Sequence, residues 1–259
     1  MSERRALAPN NAIAGMLAEI RLAAGFLTIL PILPHEQVSS RTLARSYGWF
    51  PLVGFALGAV LAAENLLLTR LFGGGPTSAL LLLTLVVLTG AVHLDALADT
   101  ADALGAGRDR NRALEVMRDS RIGSFGAIAI FFFLALALAA LAGMDIARRT
   151  AALWLAPGLA RWAMVGAGWR IDYLRVQGAG TTLLASNGDR NFALATAIAA
   201  VAVIPVLSSR TVGACVAAAL ITALSHTLNR RWLGGVTGDV LGATGELVEV
   251  AALLAMAVI

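Results

Sequence analysis

Three aspartates lie close together in residues 89–106, which read TGAVHLDALADTADALGA. Asp95, Asp99 and Asp102 occupy positions i, i+4 and i+7. On an α-helix these offsets bring the three carboxylates within about 60° of one another. Like charges on one face repel, and near a membrane they also lose hydration. The spacing therefore predicts that a cation compensates this acidic stripe, a term used below for these three residues.

A divalent cation is the simplest partner for the acidic stripe. Mg2+ prefers hard oxygen ligands, keeps several waters and is commonly shared between carboxylates and substrate phosphates. Zinc and copper are disfavoured, because the only cysteine, Cys215, lies in an apolar run and His93 is the one imidazole near the stripe. We therefore expect a magnesium site, with a solvated acidic helix end as the alternative.

Five arginines follow the stripe within 14 residues, in the sequence RDRNRALEVMRDSR. A guanidinium fork matches phosphate oxygens and stays charged, so this loop could hold a pyrophosphate opposite the metal. Arg118 and Arg121 lie beside the next apolar segment and are the better candidates. Arg108, Arg110 and Arg112 fit a role in setting membrane topology.

The last apolar segment begins with further carboxylates, in the sequence GGVTGDVLGATGELVEV. Asp239 and Glu246 are seven residues apart and share a helix face, and Glu249 follows one turn later. Ionisable groups inside a membrane cost ~2.5 to 3.5 kcal/mol each, so they normally face a cavity or a partner. Asp239 and Glu246 are therefore candidate site residues, with a structural hydrogen bond to a neighbouring helix as the alternative.

Two more charged residues lie inside apolar segments. Glu64 fits helix packing and a site role equally well. Arg161 has no carboxylate in its own segment, so it could pair with one of the carboxylates above or with a phosphate.

These groups belong to a chain that is too apolar for a soluble domain. Of its 259 residues, 58% are hydrophobic and 14% charged, whereas soluble domains are about half apolar and a quarter charged. A soluble cytosolic enzyme is excluded, and we expect an all-α integral membrane protein with a bundle of about seven transmembrane helices. The predicted spans are 48–69, 78–97, 122–143, 150–168, 191–207, 212–228 and 239–259.

The preceding segment, 13–33, is amphipathic, because Glu19 and Arg21 interrupt its apolar residues. Pro31 and Pro34 then end it. We interpret it as an N-terminal amphipathic helix, interfacial or re-entrant, with a true span as the alternative.

No internal repeat or linker divides the sequence, so residues 1–259 are predicted to form a single helical membrane domain. Residues 1–46 would be a cytoplasmic or interfacial segment, and 98–121 and 169–190 would be cytoplasmic loops. With the N-terminus inside, 15 arginines lie on the cytoplasmic side and four outside, as the positive-inside rule requires. We expect a multi-pass protein of the inner membrane, and its net charge of +4 suits anionic lipid better than nucleic acid.

Three motifs, in this order, closely resemble the cobalamin synthase family, whose members are also called adenosylcobinamide-GDP ribazoletransferases. They are HLDALADTADAL, RDRNRALEVMRDSRIGSFG and GGVTGDVLGATGELVEV. Weaker matches, including FPLVG and YLRVQGAG, extend the resemblance over nearly the whole chain.

The resemblance implies Mg2+-dependent phosphoryl transfer in the late steps of cobalamin biosynthesis. Adenosylcobinamide-GDP would react with alpha-ribazole or its 5'-phosphate, giving adenosylcobalamin or its 5'-phosphate and GMP. Cleavage of a pyrophosphate calls for metal and arginine to neutralise its oxygens, which agrees with the residue types found. The expected partners are these small molecules and membrane lipid, without nucleic acid. A homo-oligomer or an association with other cobamide-assembly enzymes stays open.

Our hypothesis for the mechanism of this reaction gives each candidate residue a role. The metal ligands would be Asp95, Asp99, Asp102 and Asp239. Substrate would be bound by Arg118, Arg121, Arg161, Arg175 and His93. Either Glu246 or Asp102 would act as the catalytic proton acceptor for the attacking ribose hydroxyl.

Two other functions fit parts of the pattern less well. A CDP-alcohol phosphotransferase also uses aspartate-rich membrane helices, but its first two aspartates are three apart, whereas Asp95 and Asp99 are four apart. An ion-coupled transporter would use buried acids and broken helices near glycine-rich segments, but the internal inverted symmetry that favours one is not evident.

Overall fold

The computed structural model of the protein describes residues 9–32, 39–107, 109–174 and 188–258. Most of these residues are helical and none forms a strand, so the predicted all-α fold is confirmed for the described part of the chain. In chain order the helices are α1 (Pro9–Leu27), α2 (Ser40–Ser46), α3 (Phe50–Leu68), α4 (Gly74–Thr89), α5 (Val92–Gly105), α6 (Arg110–Val116), α7 (Ser124–Ala142), α8 (Ile146–Ala167), α9 (Asp189–Val203), α10 (Ser209–Trp232) and α11 (Gly238–Ala257).

Five of the predicted spans coincide with helices long and apolar enough to cross a membrane. Within the described ranges these are Ser40–Leu68, Ser124–Ala142, Asp189–Val206, Ser209–Trp232 and Gly238–Ala257. A sixth span results if α4 and α5 together cross the membrane once. The predicted span 150–168 corresponds to α8, which carries three arginines and is not among the five.

The predicted span 78–97 is wrong as a single helix. The chain bends by 88° between α4 and α5, and Gly90 and Ala91 at the bend have φ values of +62° and +57°. Glycine adopts this left-handed conformation freely, whereas for alanine it is strained. The backbone N–H of Ile29 donates to the carbonyl of Leu88 at 2.9 Å, and this bond holds the end of α4 against the segment after α1. The acidic stripe therefore lies on a helix of its own, turned away from the preceding span.

Helix α8 lies inside the bundle, between α3 and α11. Its contact with α3 is close because glycines line it: a Cβ at Gly58 would lie 2.5 Å from the carbonyl oxygen of Trp154. Small residues allow helix backbones to approach in this way within membranes. At one end of the pair the buried Arg149 donates to Asn65 Oδ1 at 2.6 Å, which joins α8 to α3 by a polar contact as well.

Helix α1 has the surface expected of an interfacial helix. Ile13, Met16 and Leu17 are exposed, and among the described helices α1 is not one of those that meet the criteria for a span. Glu19 instead points inward and accepts a hydrogen bond from Trp49 Nε1 at 2.9 Å. The polar interruption seen in the sequence therefore contributes a polar contact between α1 and the bundle, beside the buried Ala23 and Leu27.

Candidate active site

The acidic stripe is positioned by a close contact between α5 and α11. A Cβ at Gly242 would lie 2.6 Å from the Cβ of Ala96, so glycine is needed for this approach. The helices run antiparallel, because His93, before Ala96 on α5, is joined through Arg161 to Glu249, which follows Gly242 on α11. Asp99 and Asp239 each lie three residues from this contact, at the same end of the helix pair. Packing thus brings carboxylates from two distant motifs to one end of the bundle.

Asp102 joins α5 to the N-terminus of α7. Its Oδ2 accepts a hydrogen bond from the backbone N–H of Gly123 at 2.7 Å, and its Oδ1 accepts one from Gly126 at 2.9 Å. The first N–H groups of a helix have no partner within the helix, and its positive end favours a carboxylate. A Cβ at either glycine would overlap the Asp102 carboxylate. This anchoring contact was not predicted from the sequence, although the closely spaced glycines were a signal for it.

A cavity of about 520 Å3 lies beside this contact. Asp102, Asp119, Arg121, Ser124 and Phe125 are among the residues that line it. One residue of the acidic stripe and one arginine of the basic loop therefore share a single space, together with the N-terminus of α7.

Arg121 is held by Asp119 at the edge of this cavity. Its Nη2 lies 2.6 Å from Asp119 Oδ2, and its Nε donates to Oδ1 at 3.0 Å. The hydrogen bonds from Arg121 lower the pKa of the Asp119 carboxyl to about 2 and raise the pKa of the guanidinium. The Arg121 side chain is 86% exposed, so solvent screens this pair and a phosphate could replace Asp119 as its partner.

A buried ion-pair cluster lies at the other side of the α5–α11 contact, formed by His93, Arg161, Glu246 and Glu249. Arg161 Nη1 lies 2.6 Å from Glu249 Oε2, and its Nη2 lies 3.3 Å from His93 Nδ1. Arg161 is 2% exposed, and Glu246 is buried one turn before Glu249. The sequence left either a carboxylate or a phosphate as the partner of Arg161, and the structure shows a carboxylate. None of these four residues lines the cavity.

The remaining predicted site residues are either exposed, hydrogen-bonded to a neighbouring residue or outside the described part of the chain. Asp95 and Arg118 are exposed, and Asp239 Oδ2 accepts a hydrogen bond from Thr237 Oγ1 at 3.1 Å. Glu64 accepts a hydrogen bond from Thr84 at 2.9 Å, which joins α3 to α4. Arg175 and most of the 169–190 loop lie outside the described residues.

The donor set fits Mg2+ only as an ion shared with a ligand. Asp95 and Asp99 are one turn apart on α5 and offer hard oxygen ligands. In the described ranges, however, no three His, Cys, Asp or Glu side chains are arranged to hold a metal ion. Mg2+ is commonly bound by one or two carboxylates, with substrate phosphates and water completing its shell. The residues present meet that requirement and do not form a cage of protein ligands alone.

Replacement of Asp102 should destabilise the protein more than replacement of Asp95. We expect Asp102→Ala to lower the free energy of unfolding by about 1 to 3 kcal/mol, because two part-buried N–H groups lose their acceptor. Asp95→Ala, at an exposed position, should change it by less than about 0.5 kcal/mol. Thermal unfolding of both variants in the same detergent measures the difference, and equal shifts would contradict the anchoring role of Asp102.

Comparison with known proteins identifies the family. Residues 19–257 match the model of a family described as cobalamin-5-phosphate synthase. A protein of Syntrophobacter fumaroxidans named adenosylcobinamide-GDP ribazoletransferase is 41% identical over 93% of this chain and 99% of its own length. Proteins of the same name from Desulforamulus reducens and Roseiflexus sp. are 37% and 39% identical over 90% and 92% of this chain, and over 94% and 89% of their own lengths. No solved structure gives a significant match.

The match extends over most of the chain and includes all three motifs that carry the acidic stripe, the basic loop and the last span. The resemblance predicted from those motifs is confirmed, and the chain belongs to the cobalamin-5-phosphate synthase family.

Proposed function

We propose that the protein joins adenosylcobinamide-GDP to alpha-ribazole or its 5'-phosphate, with release of GMP and a requirement for Mg2+. Membership of a family of transferases supports the reaction class. The structural observation that carries the proposal is the 520 Å3 cavity, in which Asp102 of the acidic stripe, Arg121 and the N-terminus of α7 meet. Phosphoryl transfer from a pyrophosphate needs positive groups that neutralise its oxygens and a carboxylate that accepts the proton of the attacking hydroxyl.

The proposed reaction exchanges one oxygen at phosphorus for another. The ribose hydroxyl oxygen bonds to the phosphorus nearest the cobinamide, and the bond from that phosphorus to the bridging oxygen breaks. GMP then leaves with the bridging oxygen. Of the two predicted proton acceptors, Asp102 lines the cavity and Glu246 does not, so we assign the hydroxyl proton to Asp102.

The arginines would bind the substrate phosphates as the pyrophosphate enters. Arg121 would exchange Asp119 for a phosphate oxygen, and the exposed Arg118, three residues earlier, could bind a second phosphate. The N-terminal amides of α7 add positive potential at the same place. Asp95 and Asp99 do not line the cavity itself but precede Asp102 on the same face of α5. Mg2+ held by them would neutralise charge on phosphate oxygens at the edge of that cavity.

Arg161 and His93 receive a different proposed role from the substrate binding expected from the sequence. Both are buried and neither lines the cavity, so contact with a phosphate there is not supported. Their contacts with each other and with Glu249 join α5 to α8 and α11. We therefore propose that they position the acidic stripe.

The cavity is proposed to face the cytoplasm, with the protein in the inner membrane. The arginine-rich segment that borders it would then lie on the side that the positive-inside rule favours. Both proposed substrates carry phosphate or sugar groups, which a site on the aqueous side can receive without crossing the bilayer. Association with a second copy or with other enzymes of cobamide assembly stays a proposal.

Loss of one stripe carboxylate should abolish turnover. In detergent solution with adenosylcobinamide-GDP, alpha-ribazole 5'-phosphate and Mg2+, we expect Asp99→Asn to release GMP at least about 100-fold more slowly than wild type, because metal and charge stabilisation are lost. Chelation of Mg2+ should stop the wild type.

Asp145→Asn is the matched control for this change. Asp145 is an exposed N-cap of α8, and asparagine caps a helix equally well, so this variant should keep the wild-type rate. Full activity of folded Asp99→Asn would refute the assignment of the stripe.

Removal of the Arg121 guanidinium should weaken substrate binding. We expect Arg121→Gln to raise the KM for adenosylcobinamide-GDP about tenfold or more, because a charge-assisted hydrogen bond to phosphate contributes about 1.5 to 3 kcal/mol. Arg112→Gln is the control, since Arg112 is exposed and pairs only with the exposed Glu115 among the described residues. An unchanged KM in Arg121→Gln would exclude Arg121 from phosphate binding.

A further inference from the structure

A second group of basic side chains lies at the C-terminal end of α10, apart from the candidate active site. A cavity of about 430 Å3 is lined there by His226, Thr227, Arg230 and Arg231. Both arginines are exposed, and within the described ranges neither forms a salt bridge. The name basic pocket is used below for these four residues.

His226 distinguishes the basic pocket from ordinary charges at a helix end. Arginines in the last turn of a helix interact favourably with its negative end, and this alone accounts for Arg230 and Arg231. It does not account for His226, which lines the same cavity one turn before Arg230. An imidazole N–H and two guanidinium forks around one cavity are suited to the oxygens of a phosphate.

An apolar cavity lies on the same face of α10. It has a volume of about 280 Å3, lies between α8, α9 and α10, and is lined by residues that include Trp162, Val203, Cys215 and Ala219. Cys215, Ala219, His226 and Arg230 stand at positions i, i+4, i+11 and i+15 of α10, which places them within about 60° of one another.

The distance between the two cavities suits a lipid molecule. Ala219 and His226 are separated by about 10 Å along the helix, which is less than the ~15 Å depth of one leaflet's hydrocarbon. The residue between them on this face is the small, exposed Ala223. Leu220, Leu224 and Leu228 are exposed beside it, as expected for a surface in contact with acyl chains.

We propose that this face of α10 binds an anionic phospholipid. The lipid phosphate lies in the basic pocket, and an acyl chain extends along Ala223 into the apolar cavity. A soluble phosphate compound would occupy only the basic pocket. The apolar cavity on the same face therefore favours the lipid.

The proposal can be tested with brominated lipids, which quench nearby tryptophan fluorescence. The protein is reconstituted in phosphatidylcholine vesicles with a minor fraction of lipid brominated on its acyl chains, either phosphatidylglycerol or phosphatidylcholine. The difference between wild type and Trp162→Phe gives the quenching at Trp162, which lines the apolar cavity.

We expect brominated phosphatidylglycerol to quench Trp162 at about tenfold lower mole fraction than brominated phosphatidylcholine, and Arg230→Gln/Arg231→Gln to remove this preference. The control Arg41→Gln/Arg70→Gln removes two exposed arginines elsewhere and should retain it. Equal quenching by the two lipids, or a preference that survives in Arg230→Gln/Arg231→Gln, would overturn the proposal. A preference abolished by added inorganic phosphate would assign the basic pocket to a soluble phosphate instead.

Discussion

The contact of Arg161 with Glu249 and His93 is the constraint on which the arrangement of the site depends. It connects three helices at one point, since Arg161 belongs to α8, Glu249 to α11 and His93 to α5. An isolated charge in an apolar interior is costly, and removal of one partner of a buried pair typically costs about 3 to 5 kcal/mol. These helices therefore cannot move apart without exposing an unpaired charge. The acidic stripe begins two residues after His93, so its position follows directly from this contact.

Two further features, a bend before α5 and a contact at its end, position this helix to form the site. The bend at Gly90 and Ala91 directs α5 across the preceding helix, so the stripe does not continue the line of α4. At the other end of α5, Asp102 accepts two hydrogen bonds from the start of α7. The helix is thus held at both ends, and the cavity forms where its acidic face meets the basic loop. A rigid α5 would keep Asp95 and Asp99 ready for a metal ion that arrives with its substrate.

The acidic stripe and most of the spans could be predicted from the sequence, because they depend on a repeat along one helix or on a contiguous apolar segment. The 3.6-residue period placed Asp95, Asp99 and Asp102 on one face, and hydropathy located five spans. The bend was missed because alanine at position 91 carries no signal for a positive φ and Gly90 alone is a weak one. The partner of Arg161 stayed open because several carboxylates were available, and only packing of α8 against α11 selects Glu249. Hydrogen bonds from Gly123 and Gly126 to Asp102 depend likewise on an approach of helices that no local pattern encodes.

In the proposed mechanism the acidic stripe holds a divalent ion together with a substrate pyrophosphate, since the described side chains do not form a complete metal site alone. Electron paramagnetic resonance of Mn2+, used in place of Mg2+, tests this directly when free and bound ion are measured with and without adenosylcobinamide-GDP. Binding of Mn2+ should be weak to the protein alone and strong when the substrate is added, and Asp99→Asn should lose that increase. Strong binding without substrate, or an undiminished increase in Asp99→Asn, would contradict this mechanism.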